Sequence, residues 1–168
     1  TRQKTELTIV REKYNDPENR LHEGWVRRAP GDVRTGKKYL AESSIEKSLR
    51  ELVKVRGSQI NRCAYCIDMH WKDARPAGET EQRLYGLAAW REAPYYSEGE
   101  RAALAWTEEL TLIAEHHVSD ELYGQMRQQY SEQELVDLTL AVVTINAWNR
   151  IAISFRSEAG SYQPPAHK

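Results

Sequence analysis

The sequence predicts an all-α protein, a bundle of about six to seven helices, and three observations carry that prediction. Apolar residues recur at spacings of three and four in successive segments, which is the period of an amphipathic helix. Serines that can cap a helix, followed three residues later by glutamate, open several of these segments. No segment shows the alternating pattern of a strand, and the chain contains no Asn-Gly or Asp-Gly hairpin turn.

Length and charge limit the functional classes. The chain has 168 residues, enough for one domain, and its 24 basic and 25 acidic residues give a net charge of -1, which argues against nucleic-acid binding. No apolar run approaches the ~20 residues of a membrane span. The first residues, TRQKTELTIVREKYN, lack the apolar core of a signal peptide. Cysteines without an export signal indicate a reducing compartment, so we expect a cytoplasmic protein that does not bind membranes.

The beginning of the chain is its least regular part. Asp16-Pro17 and the run Ala29-Pro30-Gly31-Asp32 interrupt any long helix there. We therefore divide the chain into an N-terminal arm, residues 1–42, and a helical domain, residues 43–168.

The first two helices of that domain follow from capping residues and breakers. The Ser-Ser-Ile-Glu run at 43–46 predicts a capping box for a helix that ends within residues 59–61. Asn61 is the predicted N-cap of a second helix, which starts near Cys63 and continues to about Arg75, just before a proline.

The remaining helices are predicted over about residues 79–91, 98–115, 120–129 and 132–155. Ser97, Ser119 and Ser131 are the expected caps of the last three. The final helix is apolar nearly all round, so it should lie centrally in the core or in a subunit interface. Its polar Asn146 and Asn149 should then pair within the core or across subunits. We expect an irregular tail after it.

The segment from Glu51 to His70 contains both cysteines of the chain, as Cys63-Ala-Tyr-Cys66. In a helix they share one face within disulfide reach, and His70 lies one turn beyond Cys66. A helix N-terminus lowers a thiol pKa, and the adjacent Arg62 acts in the same direction. His70 can exchange a proton near neutral pH. Glu51 can reach these groups only if the first two helices pack antiparallel.

This chemistry suits the reduction of a hydroperoxide. A thiolate attacks the terminal oxygen, which gives a sulfenic acid and releases an alcohol or water, and the neighbouring cysteine then condenses to a disulfide. An external thiol or dithiol must reduce the pair afterwards. A general base eases thiolate formation, and a general acid protonates the leaving oxygen.

The pattern Glu51-x11-Cys63-x2-Cys66-x3-His70 resembles the alkylhydroperoxidase D-like (AhpD-like) branch of the carboxymuconolactone decarboxylase family. The resemblance covers about residues 40–163, through SQINRCAYCIDMHWKDAR, GETEQRLYGLAAWREAP, ERAALAWTEELTLI and LVDLTLAVVTINAWNRIAISFR. It implies an all-helical fold, homo-oligomers that are commonly trimers or hexamers, and thiol-dependent peroxidase activity.

The resemblance also implies a role for each residue of the pattern. In that branch the second cysteine is taken as peroxide-reactive and the first as its partner, with the glutamate and histidine relaying protons. By position these roles fall to Cys66, Cys63, Glu51 and His70. The residues alone do not decide which cysteine attacks the peroxide. The helix N-terminus favours Cys63 as the attacking thiolate, whereas contact with His70 one turn away favours Cys66. We side with Cys66.

Two residues depart from the family pattern. Well-studied members have a histidine immediately before the second cysteine, where this chain has Tyr65. A tyrosine with a pKa of about 10 is a poor proton relay at neutral pH, which argues against efficient turnover. Arg62 stands where relatives commonly have glycine, so it is a candidate gate for the thiols.

Other functions fit the same residues. Zinc could bind Cys63, Cys66, His70 and Glu51, but structural zinc usually draws on a second cysteine pair that this chain lacks, so we expect no metal and no cofactor. A thiol–disulfide oxidoreductase or redox sensor would use the same cysteines without peroxide specificity. A carboxymuconolactone decarboxylase-like enzyme would act without them. An interaction protein that has kept only the fold would bury its cysteines beyond the reach of thiol reagents.

Overall fold

A computed structural model describes residues 39–164, and over that range the chain is all-helical. After one helical turn at residues 39–41, the helices are α1 (Lys47–Ile60), α2 (Ala64–Ala74), α3 (Glu81–Gly86), α4 (Glu98–Thr111), α5 (Asp120–Gln129) and α6 (Glu132–Ser154). Short 3-10 turns, Arg75–Ala77 and Leu87–Ala89, follow α2 and α3. No strand occurs among the described residues, so the predicted all-α class is confirmed. The predicted N-terminal arm lies almost wholly outside the described range, and the division at residue 42 stays a prediction.

Three helices begin where their serines predict. Ser97 and Ser131 form complete capping boxes, in which the carboxylates of Glu100 and Glu134 accept from the serine amides at 2.8 and 2.9 Å. Ser119 caps α5 with its side-chain oxygen. These starts depend on hydrogen bonds within one turn of the chain, which a local sequence pattern can specify.

Two predicted caps are wrong. α1 begins at Lys47, with Glu46 as its N-cap residue and no capping box; the Ser43 oxygen accepts from the Ile45 amide at 3.2 Å, before the helix, and its hydroxyl donates to Asp137 on α6. Asn61 ends α1 rather than capping α2, and Cys63 is the N-cap residue of α2, with φ -89° and ψ 94°. In both cases a partner distant in sequence takes the side chain that a local pattern assigns to a cap.

The predicted third helix is shorter than expected. Beyond α3 the chain continues as a 3-10 turn. The hydroxyls of Tyr95 and Tyr96 donate to the carbonyls of Gln82 and Arg83 and join this short helix to the following loop. α4 also ends early, at Thr111, and turns follow it.

α1 is the central helix of the bundle and packs against α2, α4 and α6. Its Leu52 and Val53 are fully buried. Gly57 allows a close approach to α6, since a Cβ atom at this position would lie 3.1 Å from Cγ2 of Ile145. The next turn of α6 carries Asn149, which thereby reaches the connection between α1 and α2.

α6 is long and apolar enough, by length and composition, to cross a membrane, with 39% of its apolar window buried. The prediction that no apolar stretch approaches that length is therefore wrong for this helix. Its buried face, which includes Leu138, Val142 and Ile145, lies in the core of the bundle. Val136 and Val143, two turns apart on another face, are 57% and 56% exposed.

Candidate active site

The connection between α1 and α2 positions the cysteines. Arg62 has a left-handed φ of 57°, a conformation that costs any residue other than glycine free energy. The next amide, that of Cys63, donates to the carbonyl of Ser58 at 3.0 Å and closes the turn. Asn61 joins the turn to α6, because its side-chain amide donates to Oδ1 of Asn149 at 2.9 Å. The start of α2 is thus held from two sides.

Cys63 and Cys66 lie in a small buried cluster, and each is only 1% exposed. The apolar residues packed around the pair are Tyr65, Ile145, Trp148 and Ala152. Such burial is the sign expected of a protein that has kept only the fold. An oxidant can therefore reach the sulfurs only after a local opening of this packing.

The two thiols differ in pKa. A hydrogen bond from the Cys66 thiol, assisted by the amides of Cys66 and Tyr65 and by Asn149, lowers the pKa of Cys63 to about 7 against the effect of burial. The same sulfur–sulfur contact and burial raise the pKa of Cys66. Cys63 makes no capping hydrogen bond of standard geometry, so the amides act through their partial charges. The surroundings favour Cys63 as the thiolate, whereas the family pattern assigns the attack to Cys66.

Asn149 is a site residue that the sequence did not single out. It is fully buried, and its amide nitrogen donates to Oγ of Ser58 at 3.0 Å. Its side chain also lowers the pKa of both cysteines. The expected pairing of Asn146 and Asn149 within the core is confirmed, since Asn61 donates to both. The only sequence signal was an amide on an apolar helix, which does not reveal its partners.

Glu51 and His70 form a second buried pair. Oε2 of Glu51 lies 2.8 Å from Nδ1 of His70, and Oε1 accepts from Nζ of Lys54 at 2.7 Å. Burial opposes ionisation of Glu51, but the His70 hydrogen bond and the Lys54 charge lower its pKa to about 2. Burial lowers the pKa of His70, which favours the neutral ring. With Nδ1–H donating to the carboxylate, Nε2 keeps a lone pair that can accept a proton.

The structure brings the four predicted residues together as two groups. Packing of α1 on α2 lets Glu51 reach His70, as the site requires, but its carboxylate bonds His70 and Lys54 rather than the cysteines. The pKa of Cys66 responds to Cys63, burial and Asn149, and not to His70. A proton would therefore pass between the dithiol and His70 through a substrate or a water molecule.

Asp73 adds a second carboxylate one turn beyond His70. One ligating atom each of Glu51, His70 and Asp73 lie within 4.8 Å of one another, the one such group in the part of the chain that the structure describes. Neither cysteine belongs to it, so the zinc site considered from the sequence is not assembled. Lys54 and His70 engage both oxygens of Glu51, so the group forms an ion-pair network rather than an open cation site.

Comparisons with known proteins agree with this fold. A model of the carboxymuconolactone decarboxylase family matches residues 26–109. The chain is 52% identical over 124 residues to the uncharacterized protein YdfG of Bacillus subtilis (strain 168), which covers 74% of this chain and 84% of that protein. A crystal structure from Agrobacterium tumefaciens, of a protein of unknown function named as a candidate antioxidant defence protein AhpD, matches with a TM-score of 0.76 at 38% identity, covering 82% of this chain and 97% of that one.

Another protein with this fold is a debrominase, not an antioxidant defence protein. A variant of the debrominase Bmp8, in complex with 2,3,4-tribromopyrrole, matches with a TM-score of 0.67 at 18% identity, covering 77% of this chain and 69% of that one. At this identity the likeness shows the fold alone. The reaction must therefore be argued from the residues of the site.

Proposed function

The chain belongs to the carboxymuconolactone decarboxylase family, in its alkylhydroperoxidase D-like branch, and from this premise we propose that it is a thiol-dependent peroxidase acting through Cys63 and Cys66. The observation that carries the proposal is the placement of the two thiols, which share one buried cluster at the N-terminus of α2. Their mutual contact lowers the pKa of Cys63 to about 7 and raises that of Cys66. A dithiol of this kind offers a nucleophile and a resolving thiol at neutral pH.

The reaction proceeds in three balanced steps. The Cys63 thiolate attacks the terminal oxygen of a hydroperoxide, so that an S–O bond forms, the O–O bond breaks, and the leaving alkoxide takes a proton to become an alcohol. The Cys66 sulfur, after losing its proton, then attacks the sulfenic acid, which forms the disulfide and releases water. An external thiol or dithiol reduces the disulfide and is itself oxidised.

Proton transfer in this cycle is assigned to His70, which Glu51 holds with Nδ1 as donor. Nε2 of His70 receives the proton that Cys63 loses when it becomes a thiolate. It then returns this proton, through a bridging water, to the alkoxide that leaves the hydroperoxide. Tyr65 does not serve as the relay, because burial and the neighbouring Cys66 and Asp68 charges raise its pKa.

The partners of the cycle are proposals as well. We place the protein in the cytoplasm, where a dithiol can be kept reduced by other thiols. We also propose a homo-oligomer, a trimer or a hexamer, because the exposed Val136 and Val143 give α6 an apolar outer face that a subunit contact would cover.

The function is tested by mixing the reduced protein with tert-butyl hydroperoxide at pH 7. We expect oxidation faster than that of free cysteine, ending in a Cys63–Cys66 disulfide identified by mass spectrometry. A rate no faster than free cysteine would contradict a peroxidase, and fast exchange with an oxidised dithiol in the same sample would favour a thiol–disulfide oxidoreductase. No reaction with any thiol reagent would favour a protein that has kept only the fold.

Single variants establish the order of attack. Cys66→Ser should still form a sulfenic acid, now trapped at Cys63, whereas Cys63→Ser should lose the fast reaction. The opposite result would support the order that the family pattern implies. Acid–base turnover of a lactone that survives in the double serine variant would favour a decarboxylase-like enzyme.

A further inference from the structure

The chain beyond α6 turns back over α2 as a C-terminal strap, residues 155–162. α6 ends where Arg156 takes a positive φ of 53° and the Ser157 amide donates to the carbonyl of Ala152 at 2.9 Å. Gly160, with a φ of 91°, supplies a second left-handed residue that redirects the chain. The strap then lies along the face of α2 next to the site.

Three hydrogen bonds dock the strap on α2. The Gly160 amide donates to Oδ2 of Asp68 at 3.1 Å, and Nζ of Lys72 donates to the carbonyl of Tyr162 at 3.0 Å. The Tyr162 hydroxyl donates to Oδ1 of Asp73 at 2.7 Å. The first two bonds involve the strap backbone. Only the third commits a strap side chain to a carboxylate of the site.

The contact with Tyr162 extends the buried acid–base group by one residue. A carboxylate oxygen of Asp73 lies within 4.8 Å of both a His70 nitrogen and a Glu51 oxygen. The charge of Asp73 raises the pKa of His70, against the larger effect of burial. Burial, the Asp73 hydrogen bond and the charge of Glu51 raise the pKa of Tyr162, so its phenol stays protonated and remains a donor.

We propose that Tyr162 is a positioning residue of the proposed dithiol site, whose hydroxyl fixes the Asp73 carboxylate beside His70. The inference depends on the proposed function for its role in turnover. The charged groups that act on His70 are Glu51 and Lys54 from α1 and Asp73 from its own helix, and Tyr162 from the strap bonds Asp73. Glu51 orients the ring, and Asp73 makes the ring easier to protonate when it must carry a proton to the leaving oxygen.

The test is the titration of His70 by NMR in the full chain, in the wild type, Tyr162→Phe and Asp73→Asn. Asp73→Asn should lower the pKa of His70 further, because it removes the Asp73 charge. Tyr162→Phe should lower it too, because a carboxylate that has lost its fixing donor moves away from the ring. A raised pKa of His70 in Tyr162→Phe would mean that the hydroxyl only neutralises Asp73, and it would overturn the proposal. Turnover of tert-butyl hydroperoxide should fall about tenfold in Tyr162→Phe. An unchanged titration of His70 in Tyr162→Phe would overturn the proposal.

A double-mutant cycle separates positioning from general support. If Tyr162 acts through Asp73, adding Tyr162→Phe to Asp73→Asn should change neither the His70 titration nor turnover any further. Independent, additive effects would overturn the proposal. Two controls are matched to it: Tyr85→Phe removes an exposed phenol–carboxylate bond to Glu81, and Lys72→Met removes a strap contact that does not involve Asp73. Both should leave the His70 titration unchanged.

The two proposals fail in different ways. The His70 titration needs no peroxide, so a wild type that is inactive with hydroperoxides would contradict the function and leave the positioning result intact. Normal turnover in the wild type with an unchanged His70 titration in Tyr162→Phe would contradict the positioning role alone.

Discussion

Two groups of ionisable side chains, one half-buried around Arg83 and one buried at the site, respond differently to their surroundings. Around Arg83, Glu79 lies 2.8 Å from Nε and Glu100 bonds the same guanidinium. Although burial opposes it, these partners raise the pKa of Arg83 and lower that of Glu100, so each ion is held more firmly in its usual charged form. In the site, by contrast, the pKa of Cys63 is lowered to about 7 and that of His70 is lowered too, although Glu51 is a firm anion.

The difference lies in how the charges are matched. The Arg83 cluster gives the cation complementary partners, so nothing in it changes protonation near neutral pH. The site pairs two identical thiols, which must share one charge, and sets a neutral imidazole beside a carboxylate. A perturbed pKa is therefore a sign of function here only where the perturbation leaves a group free to exchange a proton.

The largest expected effect comes from breaking the structural cluster. Arg83→Met leaves Glu79 and Glu100 without their cation, and we expect the free energy of unfolding to fall by about 3 kcal/mol. Urea denaturation measures it. The pKa of Cys63, followed by thiolate absorbance, should stay the same. The control is Arg127→Met, which removes an exposed pair with Glu132 and should leave the free energy of unfolding almost unchanged. If the free energy of unfolding fell equally in Arg83→Met and Arg127→Met, the Arg83 cluster would be no more stabilising than an exposed ion pair.

Acid should weaken the site in a predictable direction. The pKa of Glu51 is about 2 in the folded chain and higher when unfolded, so the unfolded state binds a proton first as the pH falls. The free energy of unfolding should therefore decrease from about pH 5 towards pH 2, by up to about 3 kcal/mol.

The neighbouring histidine acts in the same direction. His70 also has a lowered pKa, so stability is already lost as the pH falls through the ordinary histidine value of about 6.5. Denaturation curves between pH 3 and pH 7 measure both effects. Glu51→Gln should flatten the part below pH 5, whereas the exposed Glu132→Gln should not. If the free energy of unfolding of the wild type did not change between pH 3 and pH 7, protonation of Glu51 and His70 would not be coupled to unfolding.

Substitutions at Asn149 and Asn146 separate an effect on the pKa of Cys63 from a general loss of hydrogen bonds in the core. Each alanine variant removes a partner of Asn61, so each should lower the free energy of unfolding by about 1–3 kcal/mol. Only Asn149→Ala should raise the pKa of Cys63, because only this amide favours its thiolate. A thiol titration of both variants distinguishes them, and equal pKa values would remove Asn149 from the site.

The smallest effect is expected at the turn before the dithiol. Arg62→Gly relieves a left-handed residue, and after allowing for the extra freedom of glycine in the unfolded chain we expect a gain of about 0.5 kcal/mol. Thermal denaturation measures it, with Arg156→Gly, at the other positive φ, as the comparison. If Arg62 gates the thiols, the rate of their modification should rise in Arg62→Gly alone. Destabilisation by Arg62→Gly would show that the arginine makes a contact that outweighs the strain.

The sequence predicted those features whose causes lie within a few residues. Ser131 caps α6 through Glu134 in its first turn, and the pattern alone identifies it. Ser43 carries the same pattern, but Asp137, from the other end of the chain, takes its hydroxyl. The cap of α2 failed for a similar reason, since Asn61 is needed by α6. Hydrogen bonds between distant segments compete with local ones, and sequence spacing does not show which of them forms.

The same distinction between local and distant contacts holds for the site. The spacing of Cys63, Cys66 and His70 along α2 was evident, but the contact of Glu51 with His70 followed only from a family resemblance. Asn149 was expected only to pair in the core or across subunits, and Tyr162 was not singled out, because each meets its partner across about ninety residues of chain. Nothing in the surroundings of either residue along the sequence marks it as part of a thiol site.

Gly57 has a consequence for how relatives of this chain should diverge. A single hydrogen atom at this position sets the distance between α1 and α6, because any larger group would meet Ile145 at 3.1 Å. Positions 57 and 145 should therefore covary through evolution, with alanine at the first accepted only beside a smaller side chain at the second. An alignment of many relatives should then show paired substitutions at positions 57 and 145. These pairs would mark the close approach of α1 and α6 that brings Asn149 to the sulfurs.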